Sequence, residues 1–116
     1  MELLALILDS LNDAIVFVDT NHVIRYLNAA GKKQQAKWGN IIGKSLFDCH
    51  NANSCQIIRG CFARLQNGEE EVLFAENQKR RVYVRSVRDK EGNLIGYYER
   101  YEPSVVQGNI EKPKSP

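Results

Sequence analysis

Long apolar runs are missing from this chain of 116 residues. Its most apolar stretch, with Leu3, Leu4, Leu6, Ile7 and Leu8, is broken by Asp9 and Asp13 and preceded by Glu2. It is neither a spanning helix, which needs about 20 apolar residues, nor a signal peptide with a basic leader, so no membrane association is expected. Cysteine is scarce as well: an odd count of three with no export signal argues against a disulfide framework and for a reducing cytoplasm. Cys49, Cys55 and Cys61 show neither the Cys-x-x-Cys of zinc sites nor the Cys-x-x-Cys-His of covalent haem attachment. No glycine-rich phosphate loop occurs, and no nucleophile, base and orienting residue stand in a recognisable arrangement; an enzyme is not expected. Asp19 and His22 share a turn, which reads as turn chemistry. Charge of one sign is lacking too, the net being +2. The basic cluster Lys79, Arg80 and Arg81 falls at a turn, so a solvated hairpin is the better reading and direct nucleic-acid binding is not expected.

What remains is ordinary globular composition, 43% apolar and 26% charged, at the length of one domain. Leu4, Ile7, Leu8 and Leu11 recur at helical spacing and predict an amphipathic helix from Glu2 to Leu11. From Ala14 the pattern turns to "AIVFVD", the turn "DTNH" and "VIRYLN", an antiparallel hairpin. Asn28 can cap a helix through "AAGKKQQAKW" that Gly39 ends, and "IIGKSLFD" reads as a loop with one helical turn near Leu46. Ser54 is expected to cap a further helix whose stripe is Cys55, Ile58, Cys61, Phe62 and Leu65, with Asn67-Gly68 as its exit.

Three strands follow, "EEVLFAEN", "RRVYVRSVRD" and "NLIGYYERYE". Arg81, Arg85 and Arg88 cannot all be buried, so one sheet face must meet water. In the last strand Tyr98 faces opposite to Tyr97. The order gives an α+β fold: a five-stranded antiparallel sheet with helices on one face and an N-terminal amphipathic helix. The divisions expected are that helix at 1–12, the domain at 13–103, and a mobile tail or linker at 104–116.

Several of these segments carry a resemblance. "LDSLNDAIVFVDTNHVIRYLNAAGKKQ" resembles the start of a PAS domain, "IIGKSLFDCH" its segment after the short helices, and "RDKEGNLIGYYERYE" its last hairpin. The "DCH" of residues 48–50 is similar to a bacterial subgroup with Asp-Cys-His-Pro here, with Asn51 in place of the proline. The Asp-Ile-Thr ending common in sensor members is replaced by Glu102-Pro103-Ser104. The resemblance implies strand order 2-1-5-4-3 and a sensory or regulatory module. Its pocket, between sheet and helices, would bind a small ligand and signal through dimer arrangement to an effector; the alternative is a ligand-free dimerisation or scaffold domain.

Within that reading "SLFDCHNANSC" lies beside the pocket. A loop histidine bonded to nearby backbone is the commoner role for His50, and the sharper one is ligation of haem iron. Contacts to a bound cofactor are assigned to His50, Cys49, Trp38, Phe47, Ile58 and Phe62. Haem is the first cofactor considered; flavin ranks behind it because the Asn-Cys-Arg-Phe-Leu-Gln stretch of light-sensing relatives is absent. A metal held by Cys49, His50 and Cys55 ranks below haem, and Cys55 and Cys61 read as buried small hydrophobes. Leu4, Ile7, Leu8 and Leu11 are expected to form a homodimer interface, since Leu3 and Leu6 widen the apolar face beyond one contact.

Overall fold

The computed structural model describes residues 2–104, so the expected tail from 105 onward lies outside the described residues. The chain forms α1 (Glu2–Asp9), β1 (Val16–Asp19), β2 (Ile24–Leu27) and α2 (Ala29–Gln34). Two single 3-10 turns follow, Ala36–Trp38 and Leu46–Cys49. Next come α3 (Ala52–Gln66), β3 (Glu71–Glu76), β4 (Arg80–Arg88) and β5 (Leu94–Pro103). Every strand pair is antiparallel and the sheet runs β2-β1-β5-β4-β3, the order expected.

Strand alternation decides what each face carries. Val16, Val18, Ile24, Leu27, Val72, Val84 and Tyr97 point inward and are buried under Ile58, Cys61, Phe62 and Leu65 of α3. Outward, an ion-paired chain crosses three strands: Glu76 to Arg81 at 3.0 Å, Arg81 to Glu102 at 3.3 Å, Glu102 to Arg100 at 3.0 Å and Arg100 to Glu71 at 2.8 Å. This is the wet face that the arginines require. Arg88 departs from that pattern: it sits at the strand end and donates to the Leu65 carbonyl at 2.6 Å, where a cation complements a helix C-terminus.

Helix ends show where sequence spacing misleads. The cap of α3 is Asn51 rather than Ser54; its side-chain oxygen accepts from the Ser54 amide at 2.8 Å, so the helix starts earlier. At the far end Asn67 and Gly68, with φ 105°, let the chain turn out of the helix. Asn28 caps α2, but that helix lasts only to Gln34 and passes into the 3-10 turn before Gly39 instead of running on to it. Gly31 lies so close to β1 that a Cβ would stand 2.8 Å from the Ile15 carbonyl oxygen, which lets the helix pack against the strand.

Candidate ligand pocket

The space between sheet and helices is largely filled by rings. His22, in the β1–β2 turn, adopts the left-handed region at φ 65°. Its imidazole packs 4.7 Å from the Phe47 ring and 4.8 Å from that of Phe62, and Nδ1 is hydrogen-bonded to the Tyr97 hydroxyl at 2.7 Å. Burial, and then the Arg59 guanidinium, push the imidazole below its ordinary pKa, with Asp19 opposing; the ring stays neutral at neutral pH. The Tyr97 phenol is pushed up, chiefly by burial.

The same turn fastens the connection that follows α2. Leu46 N–H donates to the His22 carbonyl at 2.8 Å, Ile24 N–H to Lys44 at 2.9 Å, and Gly43 N–H to Ile24 at 2.7 Å. Gly43, with φ 90°, supplies the left-handed step this close pairing needs. Residues 41–50 thereby become a wall facing β1, β2 and β5.

A cavity of about 50 Å³ lies behind that wall. Val16, Val18, Ile24, Ile41 and Leu46 form its apolar side. Tyr97, Glu99, Gln35, Cys49 and His50 complete its border. Glu99 stands opposite Val84 in register, on the inner face with Tyr97 and Tyr101. Its Oε1 accepts from the Tyr101 hydroxyl at 2.9 Å, and it makes no ion pair among the described residues. Glu99 is half-buried, so this carboxylate keeps access to solvent while facing the cavity's border.

Two of the expected contact residues, His50 and Cys49, are brought to this cavity. His50 Nδ1 donates to the Leu46 carbonyl at 3.1 Å, which leaves Nε2 as the ring's acceptor. Burial and then Asp48 push the Cys49 thiol up, against Lys44, so it is held as the thiol. Cys55 points its Sγ at the Phe47 and His50 carbonyls, 3.6 and 3.7 Å away. Among the described residues no group of three His, Cys, Asp or Glu side chains is placed to hold a metal. Phe47, Ile58 and Phe62 belong to the packed core. Trp38 sits on a 3-10 turn, 45% exposed and away from the cavity, with the Lys37 ammonium 5.4 Å above its ring.

Haem does not fit the residues as folded: pockets for molecules even of drug size measure about 300–1,000 Å³, against the cavity's 50 Å³. The rings of His22, Phe47, Phe62 and Tyr97 fill the layer a porphyrin would need. Sequence reasoning missed Glu99, Gln35, Tyr97 and His22 as site residues. For Glu99 a signal existed, since alternation in "YYERY" puts it on the same face as Tyr97 and Tyr101. His22 had none, because its turn meets β5 and α3 only in three dimensions.

A broader cleft of about 470 Å³ lies where α1, α2 and the β4–β5 end meet, bordered by Asp9, Asp13, Lys33, Arg80 and Tyr101. It is an open, polar surface, and Asp9 there already accepts from the Ala29 amide at 2.8 Å.

Among curated proteins none matches the sequence. Among solved structures, a C-terminal domain from Streptococcus mutans superposes with a TM-score of 0.73 at 22% identity, covering 95% of this chain and 89% of that one. The PAS domain of a protein from Colwellia psychrerythraea gives 0.64 at 13% identity, over 90% of this chain and 97% of that one. A sensory box sensor histidine kinase from Vibrio cholerae gives 0.63 at 15%, over 89% and 90%. These likenesses establish the fold. The sequence itself matches the PAS domain family over residues 4–102, and with the strand order and the helical layer both present, the chain belongs to that family.

Proposed function

We propose that the chain is the sensory or regulatory module of a signal-transduction protein, binding a small ligand in the cavity behind residues 41–50. The observation that carries this is the pairing of a partly enclosed cavity with a wall fastened to the sheet at one turn, by His22 and its neighbours. A ligand that prefers one arrangement of that wall shifts the population of the module; one with equal affinity for both arrangements signals nothing. The likeness to a sensor histidine kinase from Vibrio cholerae supports the class of role. Three free thiols suit a reducing cytoplasm, and among the described residues no helix is long and apolar enough to cross a membrane.

Output is proposed to run through a homodimer formed by α1. That helix buries no residue: only Ala5 and Leu8 are half-covered, while Leu3, Leu4, Leu6 and Ile7 are 50–68% exposed. An apolar helix face left open in this way is satisfied by a copy of itself about a twofold axis. Light scattering after gel filtration tests it: the parent chain is expected to run as a dimer and Leu4→Glu/Ile7→Glu as a monomer of unchanged fold. A monomeric parent chain overturns the dimer.

The second reading, a ligand-free scaffold, draws on the tight ring packing around His22. Titration of the isotope-labelled chain with small probes separates the two: saturable shifts in residues 41–50 favour sensing, and a cavity silent to every probe favours the scaffold.

A further inference from the structure

Three side chains bordering the cavity, Glu99, His50 and Gln35, keep a hydrogen-bond acceptor, beside the weak donor of the Cys49 thiol. Glu99 keeps Oε2 beside the oxygen that receives the Tyr101 hydroxyl. His50 has used its donor on Leu46 and retains Nε2. Gln35 donates one N–H of Nε2 to the Gln34 side chain at 3.2 Å and retains its carbonyl oxygen along with the second N–H. The Tyr97 hydroxyl is engaged with His22. An anion here meets a like charge and no cation, since Arg and Lys are absent from the border. A neutral ligand brings no counter-charge to the half-buried Glu99 carboxylate, which the Tyr101 hydroxyl already engages at one oxygen. Size narrows the class further: one water needs about 10–15 Å³ of such space, so 50 Å³ admits a group of a few heavy atoms.

We propose that the cavity receives the ammonium head of a small aliphatic amine, with the Glu99 carboxylate as counter-ion and His50 and Gln35 as further acceptors. The assignment rests on the reading of this cavity as a ligand site. Three donors on a compact cation match in number the three acceptor side chains on the border, and the apolar side formed by Val18, Ile24 and Leu46 suits a short alkyl chain. The site differs from the broad cleft near α1, where Lys33 and Arg80 stand among the acids.

The test uses the full chain, isotope-labelled at pH 7, titrated with ethylammonium chloride, sodium acetate and ethanol at matched ionic strength. Ethylammonium is expected to shift the amide resonances of Val18, Ile24, Leu46 and His50 saturably, with the other two probes without effect. Glu99→Gln, which still offers Tyr101 an acceptor, is expected to melt like the parent chain and bind ethylammonium roughly tenfold or more weakly, through loss of a charge-assisted contact. Saturable binding of acetate or ethanol, or a Glu99→Gln chain that titrates like its parent, overturns the amine assignment and leaves a ligand pocket standing. Silence of those resonances to all three probes overturns both.

Discussion

Asn28 uses every hydrogen-bonding position of its amide while fully buried. Its Oδ1 accepts from Ile15 and Gly31 amides, each at 2.8 Å, and its Nδ2 donates to the Leu8 and Asp13 carbonyls at 2.8 and 3.1 Å. One side chain thus joins the end of α1, the start of β1 and the first turn of α2. Asn28→Asp keeps the shape but turns two donors into acceptors facing carbonyls, and is expected to cost about 2 to 4 kcal/mol in urea unfolding. His22 makes a second prediction. Its folded pKa lies below the ordinary imidazole value of 6.5, so the unfolded chain binds the proton more tightly. The stability from the neutral ring is therefore complete above pH 6.5 and declines as pH falls from there toward the lower folded value. Arg59 from α3 deepens the effect, Asp19 in the same turn reduces it, and the Tyr97 hydroxyl faces the ring from β5. Unfolding measured at pH 7.5 and pH 5.5 is expected to show a larger loss for the parent chain than for His22→Asn, which tolerates the left-handed backbone. Equal losses would refute the assignment.

At the scale of elements, α3 owes its start to Asn51 and its position to the inward stripe from Cys55 to Leu65. Asn51→Ala is expected to cost about 1 kcal/mol, read as a fall in Tm of about 4 to 8 °C for a domain of this size. Ser54→Ala should be near neutral, because Ser54 contributes its backbone amide to the cap. The two residues lie three apart and both favour caps; the sequence pointed to Ser54, and the structure gives the cap to Asn51. For the strands the alternation set Tyr97 and Tyr98 on opposite faces, and the structure turns Tyr97 inward with Val84 and Val72. For α1 the sequence supplied an apolar stripe but not its neighbour. The structure sets its end against α2, through Asp9 on the Ala29 amide, and leaves most of the stripe in water.

For the whole molecule, the filled layer between sheet and α3 bears directly on cofactor choice. Hemin titration followed by absorbance is expected to give the same spectrum for the parent chain and His50→Ala, since the cavity as folded admits no porphyrin. A Soret shift lost specifically in His50→Ala would contradict this and show that residues 41–50 swing away to open the layer.

The sequence by itself determined the element order, the alternation of faces along the strands, the inward stripe of α3, and the resemblance that led to the family. Each of these follows from local period and turn chemistry, which act over a few residues. Only the tertiary structure decided what shares the cavity. Ile24, Glu99, Gln35 and His50 come from four separated segments, and their meeting depends on how the layer of rings, with His22 bonded to Tyr97, holds residues 41–50 against the sheet. That arrangement is set by packing among side chains remote in sequence, for which no local pattern exists.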